Sequence, residues 1–306
     1  MKLGFHLPHV GTAASPDAIV RVAKRAEELG YDSVWTLERV LYPVSPRSPY
    51  PATPDGSLPD AYKINYDPIE TLTFVAAHTS RIRLGTSVID MPYYNPVMLA
   101  RRLTTLDILS NGRLHLGMGQ GWSRDEMEAT GAPPKGLGKR ADEFIEVLKA
   151  IWTTDPVEYN GEFFKLAKSS ILPKPVQKPH PPISLAAYSP GAMQRVAKYA
   201  DAWQPAGVPA EGMQQMFDGI KGMAKQAGRD PAEIGLVVRA NLYMSDEPMG
   251  DDRFIFAGSP DQVKDDIAKV RDMGASEVLF DPTFGQNGST VDGYIAEMEK
   301  IWELAH

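Results

Sequence analysis

The chain has no cysteine among its 306 residues, which excludes disulfides, thiolate nucleophiles, iron–sulfur clusters and cysteine-ligated zinc. It also lacks a run of about 18 apolar residues, so no membrane-spanning helix is expected. The opening MKLGFHLPHVG has no apolar stretch of signal-peptide type, and a cytoplasmic location is the expectation. Histidines number six, with His6 and His9 three apart and no H-E-x-x-H, so a metal centre is not expected. A basic excess is missing as well. The 32 Lys and Arg against 39 Asp and Glu give a net charge of -7, which argues against nucleic-acid and anionic-membrane partners. Neither a P-loop nor a G-x-S-x-G elbow occurs.

What is present is a globular composition, 43% hydrophobic and 23% charged, able to bury a core. One helix-opening device recurs at Ser15-Pro16, Asp67-Pro68, Asn95-Pro96, Ser189-Pro190 and Ser259-Pro260. The polar side chain satisfies a free N–H at the helix start, and proline loses nothing in the first turn. Behind three of these, apolar residues follow a helical period: Ile19 to Leu29, Leu99 to Leu109 and Val263 to Met273. Further helical patterns span about Lys139 to Trp152, Ala210 to Ala227 and Val291 to Leu304.

Between the helices lie eight strand candidates: KLGFHLP, DSVWTL, RIRLGTSV, RLHLGM, PISLAA, DAWQP, GLVVRANLY and EVLFDP. Strands alternating with helices imply parallel pairing through right-handed crossovers. Eight such units favour a closed (β/α)8 TIM barrel over an open doubly wound sheet, with residues 1–306 as one domain. Two stretches interrupt the repeat. Val40 to Tyr66, with prolines at 43, 46, 49, 51, 54 and 59, is a stiff connection expected to lie over the C-terminal mouth. The insertion before the fifth strand carries Asn160-Gly161 between VEY and EFFKL and is read as a hairpin turn.

Barrel ligands meet the C-terminal strand ends. These hold His6, His9, Glu38, Arg39, Thr86, Ser87, Gly117 to Trp122, Ala186 to Ser189, Gln204, Asn241 and Asp281. GMGQGW fails the dinucleotide fingerprint because position 122 is tryptophan. It is either a plain turn after the fourth strand or a close backbone approach to a ligand walled by Trp122. In AAYSPG, Ser189 is either a helix cap or part of a phosphate site. Glu38 with Arg39 is either a structural ion pair or a pair that polarises a ligand. No lysine stands at a strand end to form the Schiff base of an aldolase.

Taken in order, GYDSVWTLERV, IRLGTSV, NPVMLARRLTTLDILSNGRLHLGMGQGW, KRADEFIEVLKAIWT, PKPVQKPHPPI and AGSPDQVKDDIAKVRDMGASEVLF resemble the bacterial-luciferase-like superfamily of flavin and deazaflavin oxidoreductases. Within it the chain is similar to the branch that uses coenzyme F420. The resemblance implies a non-proline cis peptide at Ser87-Val88 backing the cofactor ring, with small Gly85, Thr86 and Ser87 admitting the ring to the backbone. It further implies Glu38 at the polar edge of the ring, Gly119, Gln120 and Gly121 along the cofactor, and Ala187, Tyr188 and Ser189 at its phosphate. Many relatives place a histidine after the acidic residue, and their sugar-phosphate dehydrogenase adds a glutamate in the glycine-rich loop. Those positions here hold Arg39 and Trp122. His6, Arg39, Tyr62, Tyr93 and Trp122 are therefore the expected substrate side, Arg39 meeting an anion or a carbonyl. The implied activity is F420-dependent hydride transfer to or from a small organic molecule by a homodimer. The alternatives are an FMN-dependent monooxygenase and a non-catalytic cofactor carrier.

Overall fold

Each of the five capping pairs, Ser15-Pro16, Asp67-Pro68, Asn95-Pro96, Ser189-Pro190 and Ser259-Pro260, opens a helix as expected. The computed structural model describes residues 1–53, 55–133 and 135–306; Pro54, one of the prolines of the long connection, lies outside the described residues. The helices are α1 (Pro16–Leu29), α2 (Pro68–Ala76), α3 (Pro96–Leu109), α4 (Arg124–Ala129), α5 (Leu137–Thr153), α6 (Pro190–Tyr199), α7 (Ala210–Gln226), α8 (Pro260–Asp272) and α9 (Val291–Ala305). Ser15 accepts the Ala18 N–H, and Asn95 accepts those of Val97 and Met98. Ser259 forms a reciprocal capping box with Gln262. Gly30 ends α1 at φ 100°, a conformation that favours glycine.

The strands are β1 (Lys2–His6), β2 (Ser33–Thr36), β3 (Arg83–Thr86), β4 (Leu114–Gly119), β5 (Ile183–Leu185), β6 (Ala202–Trp203), β7 (Gly235–Asn241) and β8 (Glu277–Asp281). All eight come from the segments read as strands. Each pairs in parallel with the next, β3 meets β4 through Leu84 and Leu114, and β8 returns to β1 through Val278 and Leu3. The sheet is thus the closed (β/α)8 barrel.

Two cores result. Outward-facing strand residues such as Val34, Leu84 and Leu116 pack against Val22, Leu72, Leu103 and Leu148 of the helices. Inside the ring, Trp35, Ala202, Val237 and Leu279 form a separate apolar plug. Trp35 fits because β3 has glycine beside it: a Cβ on Gly85 would stand 2.3 Å from its ring. Beneath the plug, the Trp35 indole donates to Ser33 Oγ at 2.7 Å, and Arg83 pairs with Glu277 at 2.6 Å.

The long connection does cross the mouth. Gly11 N donates to Ile64 O at 2.9 Å, and Asn65 Nδ2 donates to Arg39 O at 2.8 Å. Arg47 Nε donates to Asp125 Oδ1 at 2.7 Å, and Arg124 N donates to Ser48 Oγ at 3.1 Å, tying the loop to the head of α4. Its Leu58 and Tyr62 join Val10 and Leu37 in a third cluster, with Tyr42, Tyr50, Trp122 and Phe284 packed around them.

Three local readings change. The insertion is a hairpin, Val157–Asn160 against Lys165–Ser169, but its turn is the four residues 161–164 rather than Asn160-Gly161. Glu143 of α5 accepts the N–H groups of Glu162, Phe163 and Phe164 and holds this wider turn. Beyond the RLHLGM segment Gly119 also belongs to β4, so the first half of GMGQGW is strand and not turn. Helix α4 and the short pairs Ile89–Asp90 with β4 and Tyr243–Met244 with Ala257–Gly258 were not read from the sequence. Among the described residues no helix is long and apolar enough to cross a membrane.

Candidate active site

The end of β3 forms a backbone shelf at the mouth. Ser87 N donates to Thr36 O of β2 at 2.6 Å, and Arg239 of β7 donates to Ser87 O at 2.9 Å. The Ser87–Val88 peptide is cis. Val88 lies against Gly119, where a Cβ would approach Val88 Cγ2 to 2.8 Å and Asp90 Oδ1 to 2.6 Å. Only glycine leaves that side of the shelf intact. Thr86 turns into the wall: Oγ1 donates to Gly117 O at 2.8 Å and accepts from Gly117 N at 2.9 Å. The expectation that Gly85 admits a ring is corrected, since the space beside it is filled by Trp35.

Glu38 follows β2 and is buried beside the shelf. Its carboxyl accepts the Asp90 N–H at 2.7 Å and the hydroxyl of Tyr94. Burial, reinforced by the neighbouring Asp90 charge, pushes it up to about 8. Burial likewise pushes Asp90 up to about 7, although the Gly121 N–H donates to it at 2.8 Å. Both carboxyl groups therefore titrate near neutral pH rather than in the usual carboxylate range.

Arg39 points elsewhere. Its Nε donates to Glu126 Oε1 of α4 at 3.0 Å and its Nη2 reaches Oε2, so neither Glu38–Arg39 reading holds as a pair. The Arg39 and Glu126 side chains are 6% and 1% exposed. Glu126 also accepts the Val40 N–H at 2.8 Å and the Tyr93 hydroxyl at 3.3 Å. The guanidinium lies 4.8 Å from the Trp122 ring and 5.5 Å from that of Tyr62. Glu126 thus engages Nε and Nη2 of Arg39, and among the described residues Nη1 has no hydrogen-bond partner.

The floor is built from β1, β7 and β8. Asp281 pairs with Arg239 and lies 3.4 Å from Nδ1 of His6. Despite its burial, the Arg239 guanidinium and the hydrogen bonds from Thr283 hold Asp281 below the usual carboxylate range. Burial drops His6 to about 3, so its imidazole is neutral. Both its ring nitrogens, Gln204 Nε2, Arg239 Nε and Asn241 Oδ1 are buried without a hydrogen-bond partner. Such orphaned groups are uncommon in a folded protein and point to something bound from outside the chain. His9, by contrast, is satisfied: Leu37 N donates to its Nε2 and its Nδ1 donates to Leu7 O, both at 3.0 Å.

On the far side, Gln120 Oε1 is 3.4 Å from Nη1 of Arg195 on α6, and Gly121 takes a left-handed φ of 69°. Ala187 is buried, and its carbonyl accepts the Trp203 indole N–H at 2.9 Å. The Tyr188 ring is 55% exposed, and its hydroxyl accepts the Ala206 N–H at 3.0 Å. Ser189 caps α6 through the Ala192 N–H. All the expected site residues thus stand at the C-terminal end of the barrel. Asp90, Tyr94, Glu126 and Arg239 were missed. Arg239 and Asp90 had a signal, a charge inside an otherwise apolar segment; Glu126, on an unread helix, had none. Among the described residues no three His, Asp or Glu side chains gather to hold a metal.

A barrel with a backbone shelf and unmatched polar groups at its C-terminal mouth is a scaffold for binding a small molecule there. The chain belongs to the luciferase-like monooxygenase family, whose model matches residues 1–249. An uncharacterized protein of Mycobacterium tuberculosis is 33% identical over 285 residues, 91% of this chain and 90% of that one. The F420-dependent glucose-6-phosphate dehydrogenase of Amycolatopsis mediterranei is 33% identical over 191 residues, 60% of this chain and 50% of the relative. The crystal structure of a monooxygenase from Streptomyces bottropensis superposes with a TM-score of 0.82 at 25% identity, covering 99% and 98% of the two chains.

Proposed function

We propose that this protein is an F420-dependent oxidoreductase that passes hydride between the deazaflavin and a small organic molecule, working as a homodimer. The observation that carries the reading is the set of orphaned buried groups on His6, Gln204, Arg239 and Asn241 beside the Ser87–Val88 shelf. A flat ring with a polar edge fits such donors and acceptors. The relative from Amycolatopsis supports F420 as that ring. The family description and the Streptomyces monooxygenase support monooxygenase activity, and the second reading is a monooxygenase with FMN as its proposed cofactor.

In this reading the deazaflavin supplies a hydride donor or acceptor when bound. The protein's part is to bind, orient and exclude water. Ser87 and Val88 back the ring, and Arg239 keeps the Ser87 carbonyl in place. Glu38 keeps a proton at the polar edge. Gly119 to Gly121 run along the cofactor, and Ala187, Tyr188 and Ser189 receive its phosphate at the head of α6. The Tyr50, Tyr62 and Trp122 rings close the mouth to water.

The test is a fluorescence titration of the purified protein with oxidised F420, run beside FMN at equal concentrations. Micromolar or tighter F420 binding with weak FMN binding is the expected result. The reverse preference moves the protein to the FMN reading, and binding of neither sinks both.

A further inference from the structure

Helix α5 carries six charged side chains, and five of them have partners. Lys139 lies 4.0 Å from Glu162, Asp142 pairs with Arg195 at 2.6 Å, and Glu143 holds the hairpin turn. Glu146 accepts the Tyr159 hydroxyl at 2.7 Å, and Lys149 donates to Tyr199 O at 2.6 Å. Arg140 is the sixth. Its guanidinium lies 5.0 Å from the Phe163 ring and 5.3 Å from the Phe164 ring, and among the described residues it has no carboxylate or carbonyl partner. Contact with aromatic rings leaves the N–H groups of a guanidinium uncommitted.

Arg140 stands at the edge of a cavity outside the barrel. About 330 Å³ not filled by atoms, open to solvent, lies between α5, the hairpin and the turn that leads from the shelf to α3. Leu137, Ala141 and Phe144 of α5, Phe164 of the hairpin, and Pro92 and Tyr94 of the turn line it, and Arg140 brings the one charge to that lining. Tyr94 separates the cavity from the mouth of the barrel: its ring lines the cavity and its hydroxyl donates to Glu38.

Apolar walls with a single cation restrict what can fill the space. A bare hydrocarbon would cover the walls and press a charge without a counterion out of water. A dianion would bring two charges to one guanidinium. A monocarboxylate with a short apolar body meets both demands, since its planar carboxylate can accept two parallel N–H groups of an arginine while its body covers the apolar walls.

We propose that this cavity is a binding site for small apolar monocarboxylates, with Arg140 as the partner of the anion and Leu137, Phe144 and Phe164 against the apolar part. The site is separate from the barrel mouth and does not depend on which cofactor rests on the shelf.

The probe is phenylacetate, with phenylacetamide as its uncharged counterpart, each titrated calorimetrically into the full chain. Wild type is expected to bind phenylacetate with a Kd below about 1 mM and phenylacetamide at least tenfold more weakly. Arg140→Gln is expected to bring phenylacetate down to the level of the amide, and Arg140→Lys to recover part of the loss because the charge returns. Leu137→Trp, which places a ring in the cavity, is expected to weaken phenylacetate at least tenfold. Absence of binding to wild type, or equal affinity for acid and amide, overturns the proposal. So does an unchanged phenylacetate affinity in Arg140→Gln, which would place the ligand at another cation.

Discussion

Arg239 donates to the carbonyl oxygen of Ser87 at 2.9 Å across 152 residues of sequence, tying the seventh strand to the end of the third. The same guanidinium carries the charge that balances Asp281. Arg239→Met therefore frees the shelf and strands a buried carboxylate at once. A loss of about 3 kcal/mol in unfolding free energy is expected. Adding Asp281→Asn should restore much of that stability without restoring cofactor affinity. Chemical denaturation and ligand titration on the single and double variants separate the two effects.

Glu38 gives the protein a definite pH signature. Its carboxyl is pushed up to about 8 in the folded chain from 4.5, so the folded state binds a proton that the unfolded state releases. The stability it contributes is full below pH 4.5 and is lost as pH rises to about 8. Relative to Glu38→Gln, wild type should lose up to about 1.4 kcal/mol per pH unit across that window. Urea midpoints for both proteins from pH 5 to 8 test this, and parallel curves would refute it.

Two glycine substitutions should act in opposite directions. Gly85→Ala drives a methyl to 2.3 Å from the Trp35 ring and should destabilise by about 1–3 kcal/mol. Gly222→Ala, exposed in α7 with nothing within 4 Å, should stabilise by about 0.5–1 kcal/mol. Thermal unfolding of the two variants distinguishes a tight site from an open one.

Arg47 in the loop over the mouth pairs with two carboxylates of α4, and their joint removal can be read directly. Asp125→Ala combined with Glu128→Ala releases Arg47, whose Nε Asp125 holds at 2.7 Å and whose Nη2 Glu128 holds at 2.5 Å. Trypsin should then cleave after Arg47 several-fold faster than in wild type under native conditions. An unchanged rate would show that the Ser48 contact and the Leu58–Tyr62 cluster hold the loop without them.

The barrel was legible because its signals are local and repeated. A capping side chain before proline states a helix start within two residues, and Leu84 or Leu116 states a strand by its apolar neighbours. The shelf was legible only through a resemblance, since nothing in GTSVIDMP alone says which peptide faces a ligand. Arg39 shows why the rest was not. Its partner, Glu126, lies 87 residues away on a one-and-a-half-turn helix, so the neighbouring Glu38 looked like its match in sequence and is not in space. Gly85 misled similarly: a small residue at a strand end serves a ligand or a neighbour equally well, and the large Trp35 decided which.

That same Trp35 gives the molecule a direction. With indole, Ala202, Val237 and Leu279 filling the ring from wall to wall, the barrel is a blind-ended vessel with one door, the rim beneath the Tyr50–Trp122 roof. Traffic through one door is last in, first out. Under the proposed reading, a cofactor resting on the Ser87–Val88 shelf arrives before the molecule that lies over it and departs after it, so a vessel of this shape would impose a compulsory order on two ligands that need never touch the same residue.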